Sequence, residues 1–185
     1  MDAKLASSER GMTLMELLLA LVLAMVLGAV SLPQVRRYWQ SYRLDGATQS
    51  LTSVLEVARY TAVSTTQDVV VSFSIPESFY EAFEDRDGDR VRDPGERVLG
   101  RYTLPSQIVF SGTGLLGPPS SPSAPVADAI TFSPDMVIFN SFGKLANGLG
   151  VIYVQNEVGD ASAISFNIAG RMKTYRWDKS RRIWR

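Results

Sequence analysis

The sequence GMTLMELLLALVLAMVLGAVSLPQ, residues 11–34, decides the fold class of this 185-residue chain. Between positions 12 and 32 the only clearly polar residues are Thr13, Glu16 and Ser31. As an α-helix, this apolar run would measure about 31 Å at roughly 1.5 Å per residue, which is long enough to cross a bilayer. It is also longer than the roughly 7 to 15 apolar residues of a secretory signal. We therefore predict a membrane-spanning helix over residues 12–32.

The helical pattern continues beyond Pro33. Apolar residues recur there at steps of three and four, namely Leu44, Ala47, Leu51, Val54, Leu55, Ala58 and Ala62. That spacing places them on one side of a helix. We predict a single helix from Met12 to near Ala62 that is kinked at Pro33, with residues 33–62 as an amphipathic continuation that packs on a globular domain.

Residues 63–185 are rich in strand-forming residues. Eight short segments enriched in β-branched and aromatic residues are separated by Gly, Pro, Asn and Asp: DVVVSFSI, RVLGRYTL, QIVF, AITF, MVIF, GVIYVQ, ASAISFNI and MKTYRW. One long helix followed by a run of strands predicts an α+β fold, in which the helix packs on an antiparallel β-sheet domain. The proline-rich residues 112–128 are expected to form a mobile surface loop.

The composition excludes several classes of enzyme. The chain contains no cysteine and no histidine, so it has no Cys/His zinc site, thiol nucleophile, Ser-His-Asp triad or disulfide. An enzyme of this composition would have to work with carboxylates, Lys, Tyr or a bound cofactor. Its formal net charge of zero hides a segregation of charge, because residues 77–96 carry a net charge of −5 and residues 170–185 carry +6.

The acidic segment contains a candidate calcium loop. In DRDGDRVRDPGE, residues 85–96, acids occupy the first, third, fifth, ninth and twelfth places, namely Asp85, Asp87, Asp89, Asp93 and Glu96. Oxygen donors at this spacing suit Ca²⁺. The sixth place, where such a loop turns sharply and favours glycine, is Arg90. The alternative is a polar hairpin in which Asp and Gly set the turns and Arg pairs with Asp.

The C-terminal segment GRMKTYRWDKSRRIWR, residues 170–185, combines basic and aromatic residues. Its candidate nucleic-acid ligands are Arg171, Lys173, Arg176, Lys179, Arg181 and Arg182, interleaved with Tyr175, Trp177 and Trp184. Cations suit phosphates, and rings suit bases. The alternative is a final β-hairpin with Arg and Lys on its solvent face.

The start of the chain resembles the class III signal of type IV pilins and type II secretion pseudopilins. Gly11 ends a short polar leader, Met12 stands where that family usually has Phe, Glu16 is the fifth residue after Gly11, and Pro33 lies further along. The resemblance implies cleavage of leader residues 1–11 by prepilin peptidase, and methylation of the new amine at Met12. It also implies a single-pass protein of the bacterial inner membrane whose domain, residues 63–185, is periplasmic.

The same resemblance gives Glu16 a role. A staggered neighbour would bring the Met12 amine of one subunit against the Glu16 carboxylate of another, so that each offsets the desolvation of the other. Other pilins or pseudopilins are therefore the implied partners, through their N-terminal helices.

The remainder of the chain resembles the GspH/FimT branch of minor pseudopilins, through DRDGDRVRDPGERVL, NSFGKLANG and SFNIAGRMK. The implied function is that of a non-enzymatic minor pseudopilin in a type II secretion pseudopilus or a type IV pilus. The alternative is a FimT-like DNA-binding minor pilin for DNA uptake in natural transformation, since Gly170, Arg171 and Lys173 are similar to that branch's Gly-Arg-x-Arg segment. No cofactor is expected other than the calcium considered above.

Overall fold

The computed structural model describes residues 13–185, apart from the side chains of residues 30–34, 36 and 37. These residues divide into two compact units, with the boundary between Trp39 and Gln40. The leader predicted for residues 1–11, together with Met12, lies outside the described residues.

One helix, α1 (Leu14–Thr65), begins the described chain and extends slightly further than the predicted end near Ala62. A reciprocal pair of hydrogen bonds caps its first turn. The Glu16 amide donates to Thr13 Oγ1 at 3.2 Å, and the Thr13 amide donates to the Glu16 carboxylate at 3.4 Å. Both groups would otherwise be unpaired at a helix start, so Thr13 and Glu16 form a capping box. The helix continues through Pro33, and the predicted kink there stays a prediction.

The N-terminal part of α1 exposes its apolar side chains. The exposed residues are Leu14, Met15, Leu17, Leu18, Leu19, Leu21, Val22, Leu23, Met25, Val26 and Leu27. Among the residues described, no helix combines the length and the apolar character that crossing a membrane requires. The predicted anchor over residues 12–32 is therefore not confirmed.

In the second unit, the helix buries the predicted face. Its fully buried residues are Leu44, Leu51, Leu55, Ala58 and Ala62. Their spacing of three, four and seven residues forms one stripe along α1, and this stripe packs on the sheets. The amphipathic character predicted for this part of the helix is confirmed.

Eleven strands follow α1 in the described residues. They are β1 (Asp68–Ser74), β2 (Phe79–Asp85), β3 (Val98–Thr103), β4 (Ile108–Phe110), β5 (Leu116–Gly117), β6 (Ala124–Pro125), β7 (Met136–Phe139), β8 (Val151–Asn156), β9 (Ala161–Phe166), β10 (Met172–Asp178) and β11 (Ile183–Trp184). They form a four-stranded sheet in the order β3-β2-β1-β7, a five-stranded sheet in the order β11-β10-β9-β8-β4, and the hairpin β5-β6. All neighbouring strands are antiparallel, so the predicted α+β fold is confirmed.

The predicted and observed strands differ at four places. AITF, residues 129–132, forms only an isolated bridge between Ile130 and Ile152. Conversely, the sequence analysis did not predict β2, whose sequence is FYEAFED, or the two-residue strands β5 and β6. FYEAFED contains three acids, and Asp and Glu are depleted in strands. In the structure, Glu84 on β2 is buried but its carboxylate accepts a hydrogen bond from Arg97 at 3.1 Å. A paired carboxylate is tolerated in a sheet interior, and sequence alone does not reveal the pair.

The central strands of the five-stranded sheet, β8 and β9, are buried on both faces. Along β8, Ile152 and Val154 belong to the core under α1, whereas Val151 and Tyr153 belong to a second cluster on the opposite face. Successive strand residues point to opposite faces, which explains the alternation. The second cluster includes Leu115, with Leu116 and Val126 packed against it, so part of the segment 112–128 contacts the sheet. Residues 120–125 of the same segment are exposed, as expected of a surface loop.

The end of α1 is joined to two loops at a tight contact. The Arg59 side chain donates to the Gly143 carbonyl at 2.9 Å. Gly170 lies against the same carbonyl, and a Cβ atom added to Gly170 would lie 2.2 Å from that oxygen. Gly170 also has a positive φ of 71°. Only glycine satisfies both conditions. Gly170 therefore allows the loops that carry the motifs NSFGKLANG and SFNIAGRMK to meet beside the Arg59 side chain of the helix.

We expect Gly170→Ala to destabilise the chain more than Gly148→Ala. Both positions have positive φ, which costs a non-glycine residue about 1–2 kcal/mol, but a Cβ at Gly148 would meet nothing within 4 Å. The additional loss of unfolding free energy in Gly170→Ala therefore measures the clash between the new Cβ atom and the Gly143 carbonyl oxygen. Urea unfolding of the two variants in detergent micelles, followed by tryptophan fluorescence, would give the difference, and equal losses would contradict the close approach.

Candidate functional site

Glu16 and Pro33, the described members of the predicted N-terminal site, both lie on α1. Glu16 is exposed in the first turn, where it caps the helix through Thr13. The two other members, Gly11 and Met12, lie outside the described residues. In the single chain, the carboxylate of Glu16 thus has a local structural role, which the sequence reasoning did not identify although the Thr-x-x-Glu spacing is its usual signal.

The acidic loop, residues 85–96, connects β2 to β3 and gathers three carboxylates. One carboxylate oxygen from each of Asp85, Asp87 and Asp89 lies within 4.8 Å of the others. Asp85 ends β2 and is buried, and its two oxygens accept hydrogen bonds from the amides of Gly88 at 2.8 Å and Arg90 at 3.2 Å. The predicted first, third and fifth ligands of the calcium loop are therefore close together.

Glu96 has a different position in the acidic loop. Its two carboxylate oxygens accept hydrogen bonds from the amides of Arg86 at 2.9 Å and Asp93 at 3.0 Å, so it ties the loop ends together. Asp93 is exposed. Arg90, at the sixth place, adopts a left-handed φ of 66°, the conformation for which such a loop favours glycine.

The arginines of this region do not pair with the loop aspartates in the described residues. Arg86 and Arg97 lie 3.6 and 3.1 Å from the Glu84 carboxylate, and Arg92 lies 3.8 Å from Glu81. The prediction that Arg pairs with Asp in a polar hairpin is therefore wrong, although the loop does join two paired strands. Its aspartates keep their mutual repulsion.

This repulsion contributes to a raised pKa at two acids of the loop, Asp85 and Asp93. Burial raises the pKa of Asp85, and the nearby charges of Glu96 and Asp87 raise it further against the effect of the two amide hydrogen bonds. The pKa of Asp93 is also raised, by desolvation and by the charges of Asp89, Asp87 and Glu96. Groups of like charge disfavour each other's ionised form, and a bound cation would relieve this.

The basic segment forms the predicted hairpin, β10 with β11, which lies at the edge of the five-stranded sheet. Trp177 and Trp184 are buried, and their ring centroids are 5.0 Å apart. Trp184 also donates its indole N–H to the Leu116 carbonyl. The expectation that these two rings stack on bases is therefore wrong, because they fill the second core cluster.

Three cations of this segment are already paired. Arg176 lies 2.6 Å from the Asp45 carboxylate on α1, Lys179 lies 2.8 Å from Asp160, and Arg185 lies 2.7 Å from Asp178. Burial alone would raise the pKa of Asp160, but hydrogen bonds from Lys179, Ser41 and Asn156 lower it. Arg176 and Lys179, predicted to contact DNA, therefore hold the hairpin onto the domain.

The other predicted DNA ligands have no ion-pair partner among residues 13–185. They are Arg171, Lys173, Arg181 and Arg182. The Lys173 ammonium lies 4.7 Å from the centre of the Tyr175 ring, and the three arginines are exposed. The free positive charge of the segment is thus smaller than its composition indicates.

Two grooves flank α1 in the second unit, and neither was predicted. A groove of about 330 Å³ lies beside β10 and is lined by polar residues that include Thr48, Thr52 and Arg176. An apolar groove of about 230 Å³ lies beside β3 and is lined by residues that include Val57 and Tyr102. Sequence reasoning assigns the buried face of a helix but not how completely the sheets cover its flanks.

A comparison with solved structures finds the same fold in a minor pilin. The minor pilin FimU of Pseudomonas aeruginosa type IV pili is 12% identical with a TM-score of 0.52, covering 74% of this chain and 90% of that one. The minor pseudopilin EpsH from the type 2 secretion system of Vibrio cholerae is 12% identical with a TM-score of 0.48, covering 71% of this chain and 95% of that one. No curated protein matches the chain.

The family comparison covers most of the second unit. Residues 47–170 match the family described as type II transport protein GspH. This range includes the acidic loop and the contact between Arg59, Gly143 and Gly170, but it ends before the free cations of the hairpin. The match spans about two thirds of the chain, and the chain therefore belongs to the GspH family.

Proposed function

We propose that the chain is a non-enzymatic minor pseudopilin or minor pilin, anchored in the bacterial inner membrane by residues 12–32 with its β domain in the periplasm. It is incorporated into a type II secretion pseudopilus or a type IV pilus and so takes part in protein secretion or pilus biogenesis. The observation that carries this proposal is the exposed apolar surface of α1 between Leu14 and Leu27.

That apolar surface requires a non-aqueous neighbour. Exposed apolar area is unfavourable in water by about 25 cal/mol per Å². A bilayer, and after assembly a bundle of similar helices, removes this area from water. The proposed sequence of events is insertion of residues 12–32, cleavage after Gly11 by prepilin peptidase, methylation of the Met12 amine, and transfer of the helix into the filament.

Glu16 then changes its role on assembly. In the single chain its carboxylate accepts a hydrogen bond from the Thr13 amide. Within a bundle of apolar helices, an unpaired carboxylate is costly, and the Met12 ammonium of the neighbouring subunit supplies the opposite charge. The first turn of α1 would thus exchange a local cap for an intermolecular ion pair.

Family membership favours a secretion system, since the family is described by its part in type II transport. The alternative function is DNA binding during natural transformation. The four unpaired cations of the β10–β11 segment favour it, because cations that are free in the single chain are available to phosphates.

Substitutions of Glu16 separate its two roles. We expect Glu16→Ala to reduce incorporation into sheared filaments at least about tenfold, because removing one partner of a buried ion pair costs about 3–5 kcal/mol. Glu16→Gln should fail equally, since glutamine keeps the capping box but lacks the charge. Leader cleavage, measured by the mass of the protein in membranes, should stay normal in both variants. Normal incorporation of Glu16→Gln would show that the cap suffices and would refute the ion pair.

DNA binding is tested by removing free cations. We expect the double variant Arg181→Ala and Arg182→Ala to weaken gel-shift binding and to lower the dependence of log K on log salt by about two. The matched control removes two other cations without an ion pair in the described residues, Arg90 and Lys144. Equal effects of the two double variants, or no binding by the parent protein, would end the alternative.

Calcium binding to the acidic loop is tested by calorimetry. We expect the full chain to bind Ca²⁺ with a dissociation constant of about 10⁻⁴ to 10⁻³ M, the range of extracellular modules. Replacing Asp85, Asp87 and Asp89 by Asn should abolish the heat. Arg90→Gly should tighten binding, because it removes both a positive charge and a left-handed arginine. Absence of heat from the parent protein at millimolar Ca²⁺ would exclude the site.

A further inference from the structure

The groove beside β10, here named the β10 groove, lies between α1 and the edge of the five-stranded sheet. On β9, Ser162 lies between its cross-strand partners Val154 on β8 and Arg176 on β10. Val154 belongs to the core under α1, and cross-strand partners share one face of a sheet. Ser162 and Arg176 therefore face α1. Both line the groove, whose helical side is formed by residues that include Thr48 and Thr52.

Ser162 is the one buried polar residue of the described chain whose side chain makes no hydrogen bond there. Only 3% of Ser162 is exposed. The other buried polar residues, each with a side-chain hydrogen bond, are Thr48, Glu84, Asp85 and Asn156. No side-chain oxygen that is sealed from solvent in the described residues lacks a partner, so the Ser162 hydroxyl opens into the β10 groove. A buried hydroxyl without a partner is unfavourable, and a polar ligand in the groove would remove this cost.

The hydroxyl groups around Ser162 offer both acceptors and donors of hydrogen bonds. Thr48 and Thr52 already donate their hydroxyl protons to carbonyl oxygens of α1, at 2.8 and 2.9 Å, so their own oxygens remain as acceptors. The hydroxyls of Ser162 and Thr174 make no hydrogen bond within residues 13–185, so each can both donate and accept. A ligand that matches this lining carries several groups that do the same, as a polyhydroxylated molecule does.

Two guanidinium groups of the lining, Arg176 and Arg185, offer donors to an anionic group. Both carboxylate oxygens of Asp45 contact the same terminal nitrogen of Arg176, at 2.8 and 2.6 Å. Asp178, which lies outside the lining, pairs with one terminal nitrogen of Arg185 at 2.7 Å. Each guanidinium therefore keeps further N–H groups. A carboxylate on the ligand would accept charge-assisted hydrogen bonds from them.

The volume and the lining of the β10 groove limit the size and the class of its ligand. About 330 Å³ is at the lower end of the roughly 300–1,000 Å³ of small-molecule sites, so the ligand is of monosaccharide size or little more. Every lining residue is polar, and the ring of Tyr175, which also borders the groove, packs on the second core cluster. Nothing in this lining suits a fatty ligand.

We propose that the β10 groove binds a sugar acid, a polyhydroxylated ring that carries one carboxylate, either free or within a polysaccharide. The Ser162 hydroxyl pairs with a hydroxyl of the sugar, and Arg185 with Arg176 binds its carboxylate. This binding site goes beyond the proposed function, which depends on the N-terminal part of α1. Binding needs neither a filament nor Glu16, so failure of the binding test leaves the proposed function intact, and the reverse also holds.

Three small probes separate the two chemical features of the ligand. D-glucuronate carries both, D-glucose has the hydroxyls without the carboxylate, and acetate has the carboxylate without the hydroxyls. We expect saturation-transfer NMR on the purified full-length chain in micelles to give a dissociation constant of about 1 mM for D-glucuronate, with D-glucose and acetate about tenfold weaker. Equal binding of D-glucose or acetate, or no signal from D-glucuronate at about 10 mM, would overturn the proposal. Tighter binding of a glucuronate oligomer would identify a polysaccharide as the source, and equal binding a free sugar acid.

Substitution of the buried hydroxyl has a matched control on the same strand. Ser162→Ala should weaken D-glucuronate binding about three- to tenfold, the loss of one hydrogen bond. Ser165→Ala should leave binding unchanged, because the cross-strand partner of Ser165, Val151, belongs to the second cluster on the opposite face. Without ligand, Ser162→Ala should unfold at a urea concentration no lower than the parent chain, since it removes a hydroxyl without a partner. A loss of stability would contradict the unpaired hydroxyl and overturn the proposal.

Substitution of the cation tests recognition of the carboxylate. Arg185→Gln should lower the affinity for D-glucuronate to that for D-glucose, because the ligand carboxylate then loses its charged partner. Lys144→Gln, which removes an exposed cation outside the groove, is the control and should have no effect. Unchanged binding of D-glucuronate by Ser162→Ala or by Arg185→Gln would show that the sugar acid binds elsewhere and would overturn the proposal.

Discussion

The structure depends on the burial of one stripe of α1. Leu44, Leu51 and Leu55 are fully buried where the helix packs on the two sheets. This contact positions the helix relative to the strands on either side of it. Burying such a side chain contributes about 1.5–3 kcal/mol, so the stripe fixes the rotation of the helix about its axis. That rotation determines which helix residues reach the sheet edges. Asp45 meets Arg176 on one flank, and Val57 lines a groove beside β3 on the other.

The same helix has two different surroundings along its length. In the second unit its polar face is solvated and its apolar face is covered, whereas between Leu14 and Leu27 its apolar side chains are exposed. A soluble domain has no physical reason to keep that surface, and the proposed function supplies one in the bilayer and the helix bundle. Membership of the GspH family is consistent with this division, since the family match begins at residue 47, within the covered part of the helix.

The composition does not show which charges the fold pairs and which it leaves without a partner. The zero net charge contains six ion pairs within the described residues. It also contains groups without an ion pair there, among them Asp87, Asp89 and Asp93 in the acidic loop and Arg181 and Arg182 between β10 and β11. The paired cations are structural, since Lys179 and Arg176 hold β10 and its turn on the domain. The unpaired aspartates of the acidic loop are available to a cation, and the unpaired arginines are available to a nucleic acid.

The sequence by itself determined the long helix, the α+β class and most strands, because hydrophobic periodicity and β-branched runs are local signals. It also placed three acids of the loop at a spacing that brings their carboxylates together. Only the tertiary structure decided that FYEAFED is a buried strand, that Trp177 and Trp184 are core residues, and that Arg176 and Lys179 are paired. These outcomes depend on groups distant in sequence, such as Arg97 for Glu84 and Asp45 for Arg176, and no local pattern encodes which distant charge or ring a residue will meet.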